Sequence, residues 1–368
     1  MTSADVIVIG GGIAGISAAA ALSEEMSVVV LEAEARLGYH ATGRSAAIFI
    51  RNYGNATLRA LNAASAPFFE APGEIADGPL LSPRGEMLVA TEEEMPTLSA
   101  YAAGAEGLEH LSPAQAVELV PILRPERICA AVIEWDAQDI DVDLMMAGYG
   151  RCLKANGGRI ETAAAVRGLR RHGGLWQVDT PRGIYRAPLI VNAAGAWAGE
   201  VARLAAACPI RLIPLRRSAA LLPAPAGYDV TQWPLFASAA ESWYAKPQSG
   251  KLMISPADED PVAPQDAWAD DMVLAEGLHR YEQAVTTPVT RVETSWAGLR
   301  TFTADRSPVV GFDPGTEGFF WLAGQGGYGV QTAPALARLT AALCTATAPQ
   351  LAGDVVRALA PQRLLPAA

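Results

Sequence analysis

The stretch from Asp5 to Glu32 limits what the chain can fold into more than any other part of it. Asp5-Val6-Ile7-Val8-Ile9 is a run rich in β-branched residues, the pattern of a short strand buried on both faces. Gly10-Gly11-Gly12-Ile13-Ala14-Gly15 follows as a turn, and the Ala-rich segment from Ile13 to Glu24 reads as a helix. Val28-Val29-Val30-Leu31 is a second buried strand, completing a strand–helix–strand unit. Gly10, Gly12 and Gly15 have the spacing of a dinucleotide-binding turn. The first permits a tight bend, the second lets backbone amides approach a pyrophosphate, and the third lets the helix lie close to the strand. The helix start offers free amides and a partial positive charge to phosphate. Glu32 ends the second strand twenty residues beyond Gly12, where a carboxylate accepts hydrogen bonds from ribose hydroxyls. The expected contacts on this unit are Gly10, Gly12, Ile13, Ala14, Gly15, Glu32 and Ala33; the motif alone fits NAD as well as FAD.

At 368 residues the chain has room for two domains, or one with a second inserted. Residues 39–54 read as an irregular, glycine-containing loop, and Ala56 to Phe69 as a helix. Strands alternate with Pro-rich turns at 78–91, 129–136 and 209–255, with helical segments near 112–119 and 270–284. Strand–helix alternation returns at 142–206, where Leu189-Ile190-Val191 runs into Asn192-Ala193-Ala194-Gly195-Ala196. It returns again after about 293 and ends in an Ala-rich helix near 330–346. The expectation is an α/β fold: a Rossmann-like cofactor domain from residues 1–80, 142–206 and 293–368, with a mostly β substrate domain from 81–141 and 207–292 inserted in it.

Four further motifs narrow the reading. They are Gly-Tyr-His-Ala-Thr-Gly-Arg-Ser-Ala-Ala at 38–47, Asn-Ala-Ala-Gly-Ala-Trp at 192–197, Trp-Ala-Gly-Leu-Arg-Thr-Phe-Thr-Ala-Asp at 296–305, and Gly-Gln-Gly-Gly-Tyr-Gly-Val-Gln-Thr at 324–332. With the glycine turn, they resemble the D-amino-acid oxidase superfamily of FAD-dependent oxidoreductases from Asp5 to about Arg363. Within it the chain looks most like the bacterial FAD-dependent D-arginine dehydrogenases. The resemblance implies a FAD-binding domain of the glutathione-reductase type, with the flavin held non-covalently. It places Ala41, Thr42, Gly43, Arg44, Ser45, Ala46 and Ala47 along the ribityl chain, pyrophosphate and isoalloxazine, and the Val166 backbone at the adenine. Ala194 and Gly195 give backbone access to the cofactor. Gly326, Gly327, Tyr328, Gly329, Val330 and Gln331 open the last major helix, whose dipole faces the flavin. Some relatives tether the flavin through a cysteine near the position of Gly298, and none of Cys129, Cys152, Cys208 and Cys344 falls there.

For the substrate, the resemblance implies that Arg300 and Arg217 hold a carboxylate through a planar fork. Arg216, adjacent on a strand, then points to the opposite face as a solvated charge. Tyr53 and Tyr244 match pocket tyrosines, and Glu86 matches an acid that recognises a cationic side chain. Read from the residues alone, the tyrosines fit a core and Glu86 an exposed strand. Ile48 and Ile50 stand where D-arginine dehydrogenases have a histidine and a threonine, which opens the pocket to apolar D-amino acids. Arg51, if turned inward, favours an acidic side chain instead. His40 reads as structural. Met253 falls where oxidases of the superfamily place a lysine, with Lys251 two residues away on the same strand face.

The implied activity is oxidative deamination of a D-amino acid, with electrons leaving to an unknown quinone-like or dye-like carrier. Another amine or 2-hydroxy-acid oxidoreductase of the superfamily, of the glycine or sarcosine oxidase kind, stays open. So does a non-catalytic dinucleotide-binding protein. The formal charge of −11 and the lack of a Lys/Arg run argue against nucleic acid. The scattered cysteines suggest neither a metal site nor a disulfide framework. The absence of a long apolar stretch points to a cytoplasmic protein with no transmembrane segment.

Overall fold

The computed structural model describes residues 2–365; Met1 and residues 366–368, the tail of the segment expected at 293–368, lie outside the described residues. The strands Val6–Ile9 and Val28–Leu31 are buried along their whole length and flank the helix Ile13–Leu22. That helix stops short of Glu24 because the Ser23 hydroxyl turns back to the Ala20 carbonyl (2.7 Å).

These strands belong to a six-stranded sheet in the order Arg159–Glu161, Val28–Leu31, Val6–Ile9, Leu189–Asn192, Phe319–Ala323, Val309–Phe312. The first five run parallel and the last antiparallel. Strand order reverses direction at Val6–Ile9, so the crevice beyond Ile9 and Asn192 is the ligand position of an open parallel sheet. Helices Ile13–Leu22, Val142–Ala155 and Gly329–Cys344 cover one face of the sheet. Helix Ala198–Leu204 and an antiparallel meander at 168–187 cover the other. The meander interrupts the strand–helix alternation expected over 142–206, because its strands are short and locally polar.

The second sheet is nine-stranded and contains Ile213–Leu222, Lys251–Ser255, Tyr244–Gln248, Leu235–Ser238, Glu86–Ala90 and Ala130–Glu134 as neighbours in that order. Thr294–Phe302 pairs along Ile213–Leu222 and so lies in this sheet, although the sequence reading began a cofactor segment at 293. Pairing between segments so far apart leaves no local trace. One face of the sheet packs Leu222, Leu252, Ile254, Ala245 and Phe236 against the helix Asp271–Ala284. By the pairing register the other face carries Arg300, Arg217, Met253, Tyr244, Ala237, Leu88 and Glu86. The expected irregular loop at 39–54 also holds structure: a turn at Thr42–Arg44, and the strand Ile48–Phe49 paired with Gln138–Ile140.

Candidate active site

A cavity of about 450 Å³ runs from Glu32 and Val166, past the glycine turn, to Gly298 and Gly326. Gly10, Gly12, Ile13, Ala14, Ala33, Ala41, Thr42, Arg44, Ala194, Gly195 and Gly329 also line it. Gly10 has φ +108°, and a Cβ there would lie 2.4 Å from the Ala193 carbonyl. Gly15 is not on the cavity: a Cβ on it would lie 1.9 Å from the Gly10 carbonyl, so it serves helix–strand contact. The Glu32 carboxylate accepts from the amides of Gly11 (2.7 Å) and Glu34 (2.8 Å), which fixes the turn against the second strand. Thr42 Oγ1 accepts from the Ile13 amide (3.0 Å), tying the 38–47 loop to the helix start.

Three features test whether a flavin dinucleotide fits. At the helix start, the amides of Gly12 and Ala14 have no partner among the described residues and face the cavity. On the wall at its far end, Thr301 Oγ1 and Gln325 Nε2 are buried polar atoms without partners. The intervening floor, Gly12, Gly195 and Gly298, is bare backbone: a Cβ would lie 3.3 Å from Thr42 Oγ1 at Gly12, in ordinary contact at Gly298, and within 4 Å of nothing at Gly195. The residues present fit the group. Arg44 lines the cavity but spends its guanidinium on the Ala267 and Ala297 carbonyls (both 2.9 Å) and on Asp266, clamping the loop to the second domain. None of the four cysteines lines this cavity.

A narrower space continues from the far end between Ser45, Ala46, Met253, Gly298, Arg300 and Gly327. It opens into a cavity of about 100 Å³ walled by Ala47, Ile48, Ile50, Tyr53, Leu88, Leu235, Ala237 and Tyr244, with Glu86 and Tyr101 at its distal side. Ala47, on the wall of the small cavity, adopts φ +45°, a left-handed conformation unusual for alanine.

Arg300 stands where the spaces meet. Its side chain makes no hydrogen bond or ion pair among the described residues. A Cβ on Gly327 would lie 2.8 Å from its Nη1, so the glycine-rich loop packs flat beneath the guanidinium. Burial acts to lower its pKa, but Tyr244, Tyr53 and Glu241 hold it above the ordinary arginine value. Arg217 lies beside it through the pairing of Leu215 with Arg300 and Arg217 with Gly298. Arg217 donates to the Asp258 carbonyl (2.9 Å) and to Glu259 (3.1 Å), and Arg306 grips the same Glu259 with both Nη atoms. Burial pushes the Tyr53 hydroxyl up, and its ring packs 4.7 Å from that of Tyr328. Burial acts to raise the Tyr244 hydroxyl as well, yet Arg300 and Arg217 draw its pKa below the usual tyrosine value.

Several expectations change. Arg216 is not a solvated charge: it is largely buried and ion-paired with Asp258, Asp260 and Asp270. Arg51 points outward to Glu70 (3.2 Å), so it plays no part in side-chain selection. Gln331 turns away from the large cavity and bonds Asn62 and the Ile50 amide. Gly43, Tyr328 and Val330 also lie off the large cavity; the Gly43 amide closes the loop onto the Gly38 carbonyl (2.8 Å). His40 bonds Glu34 (2.9 Å) and packs on Trp197. Lys251 pairs with Glu293 away from the site, leaving Met253 on the connecting space. The sequence reading missed Trp197, Gln265 and Thr301 on the large cavity and Glu241 on the small one. No helix among the described residues is long and apolar enough to cross a membrane, and no group of their side chains could hold a metal ion.

Known proteins resemble the chain along most of its length. A family model described as FAD dependent oxidoreductase (DAO) matches residues 5–343. Glycine oxidase of Geobacillus kaustophilus (strain HTA426) is 29% identical over 269 residues, 70% of this chain and 68% of that protein. Mitochondrial dimethylglycine dehydrogenase of Homo sapiens is 24% identical over 249 residues, 60% of this chain but only 28% of that protein's length. The crystal structure of glycine oxidase from Geobacillus kaustophilus superposes with a TM-score of 0.86 at 21% identity, covering 100% of both chains. The FAD-bound, dithionite-reduced L-α-glycerophosphate oxidase of Mycoplasma pneumoniae superposes with a TM-score of 0.83 at 18% identity, covering 94% of this chain and 95% of that one. These structures share the fold.

Proposed function

The chain belongs to the DAO family of FAD-dependent oxidoreductases, and from that premise we propose that it oxidises a D-amino acid at the α-carbon. The imine product hydrolyses to a 2-oxo acid and ammonia. One observation carries this reading: Arg300, largely shielded from solvent and without a protein partner, stands beside the buried Arg217 where the two cavities join. A cation shielded from water gains from a counter-charge, and the guanidinium fork matches a carboxylate. When bound, FAD supplies the hydride acceptor.

The protein's own part is placement. Arg300 and Arg217 take the substrate carboxylate, Tyr53 and Tyr244 close around the α-carbon, and the apolar wall of Ile48, Ile50 and Leu88 excludes water. The substrate amine must be neutral to give up hydride, so activity rises with pH as the ammonium loses its proton. Of the similar proteins named above, two are a glycine oxidase and a dimethylglycine dehydrogenase, and the third is an L-α-glycerophosphate oxidase. The cavity beyond Tyr244 gives a larger side chain room, which favours a substituted amino acid here. The D configuration rests on the sequence resemblance, and a quinone-like or dye-like carrier is the proposed electron acceptor.

The deciding experiment is anaerobic mixing of the yellow protein with D- and L-amino acids, glycine, sarcosine and 2-hydroxy acids. Bleaching of the flavin by a D-amino acid, and not by its L enantiomer, is expected. Bleaching by an L-amino acid or a 2-hydroxy acid alone would overturn the proposal. No bleaching by any of them would leave a dinucleotide-binding protein without turnover.

A further inference from the structure

Ile50-Arg51-Asn52-Tyr53 forms part of the substrate wall, yet it has no regular structure of its own. Buried side chains from elsewhere take up its polar groups. The Ile50 amide donates to Gln331 Oε1 (3.2 Å). Asn62 Nδ2 donates to the carbonyls of Ile50 (3.2 Å), Arg51 (3.3 Å) and Tyr53 (3.1 Å). Glu134 accepts from the Arg51 amide (2.8 Å) and Asn52 Nδ2 (2.6 Å). Gln331 Nε2 closes the circuit on Asn62 Oδ1 (2.8 Å). Asn62 is 0% exposed and Gln331 3%.

We infer that Asn62 and Gln331 are a positioning pair that holds the substrate wall at a fixed distance from the carboxylate anchor, by tying it to the loop that lines the flavin cavity. The inference rests on the substrate reading of this cavity given above. Asn62 sits in an otherwise largely apolar stripe with Leu58, Leu61 and Phe69, where a polar amide is costly unless every hydrogen bond is made. Here each polar atom of both amides is used. Gln331 lies in the first turn of the helix Gly329–Cys344. The residues just before it line the cofactor cavity through Gly326 and Gly329, underlie Arg300 through Gly327, and support the Tyr53 ring through Tyr328. One short loop therefore touches the flavin cavity, the carboxylate anchor and, through Gln331 and Asn62, the wall opposite the anchor. Neither Asn62 nor Gln331 lines the large cavity, and of the two only Gln331 reaches the small one, so cutting the link alters the wall and spares the cofactor.

The test uses the FAD-loaded full chain with Gln331→Met, which keeps the volume and removes both bonds, with Asn62→Asp, which keeps the size and removes the donor, and with both together. Amide hydrogen exchange is followed for residues 49–57, with residues 5–22 as the internal control. The expected result is exchange at Ile50–Tyr53 faster by about tenfold or more, unchanged exchange at 5–22, and full flavin content. With any substrate that bleaches the flavin, KM rises about tenfold or more while the saturating rate of flavin reduction stays within about threefold. The double variant is no worse than the worse single one, as two members of one link require. Unchanged exchange at Ile50–Tyr53, a fall in saturating rate at constant KM, or effects that multiply in the double variant would each overturn the inference. If the Asn62 variant does not fold, Gln331→Met decides alone by exchange and KM. The exchange readout needs no substrate, so a flavin that no amino acid bleaches counts against the proposed function and not against this link.

Discussion

Glu86 and Glu134 face each other directly across two antiparallel strands, both nearly buried, and neither pairs with a basic side chain among the described residues. Burial and then Glu134 push the Glu86 carboxyl up to about 8, against the opposing pull of the Tyr101 hydroxyl. Below that pH Glu86 is mostly neutral, and only its ionised form attracts a cationic side chain. The kcat/KM for D-arginine relative to D-methionine is therefore expected to rise about tenfold per pH unit between pH 6 and 8 and to level off above. The α-amine titrates in both substrates, so its contribution largely cancels in the ratio. Glu86→Gln should flatten the curve; a ratio already flat in the unaltered protein would put the side chain elsewhere.

Arg300→Ala and Arg217→Ala are expected to raise KM by about 30- to 1000-fold, the equivalent of about 2–4 kcal/mol for a lost charge-assisted contact, with FAD retained. The effect should be larger at Arg300, because Arg217 already shares its charge with Glu259. Steady-state kinetics with flavin content measured in parallel would check this. Unchanged kinetics in Arg300→Ala would show that the carboxylate is held by other groups.

The glycines of the turn separate cofactor loss from fold loss. At Gly12 the nearest atom to an added Cβ is Thr42 Oγ1 at 3.3 Å, so Gly12→Val should fold and remain soluble but come out colourless. At Gly15 the added Cβ meets backbone at 1.9 Å, so Gly15→Ala should lose about 3 kcal/mol of stability or fail to fold. Thermal melts and absorbance of the two purified variants distinguish these outcomes. A yellow Gly12→Val protein would contradict the placement of the pyrophosphate.

Met253 puts a neutral thioether on the space that links the two cavities, while Lys251 is engaged by Glu293. Substrate-reduced protein mixed with air-saturated buffer is therefore expected to reoxidise slowly while reducing dyes quickly. Met253→Lys should speed reoxidation by about tenfold or more, because a positive charge stabilises superoxide as it forms. Fast reoxidation with stoichiometric peroxide in the unaltered protein would make it an oxidase.

What the sequence made legible was local. Gly10, Gly12, Gly15 and Glu32 act within one strand–helix–strand unit, where spacing alone dictates their neighbours. Strand alternation separated Arg216 from Arg217, but Asp258, Asp260 and Asp270 reach Arg216 from remote segments, which turned an expected solvated charge into an ion-pair cluster. The adjacency of Arg217 and Arg300 depends on a register between distant strands, so it came from family resemblance and not from pattern. Gln331 was read with its cofactor-loop neighbours, yet its side chain follows the helix and not the loop. Asn62 did leave a signal, an amide in the apolar stripe of its helix. Glu241 left none, since it sits at the turn of a hairpin whose place over the site is set by the whole sheet.

The six-stranded sheet joins strands made at widely separated times. The turn at Gly10–Gly15 leaves the ribosome long before Thr294–Phe302 and Phe319–Ala323, which complete the opposite wall of the cavity and the sheet beneath it. A nascent chain thus carries the phosphate-binding half of the site with nothing to close over it, and non-local parallel pairing of this kind is slow to form. Flavin capture falls to a nearly finished chain. In a cell short of flavin, full-length protein would accumulate with its central crevice unfilled, the form most open to proteolysis.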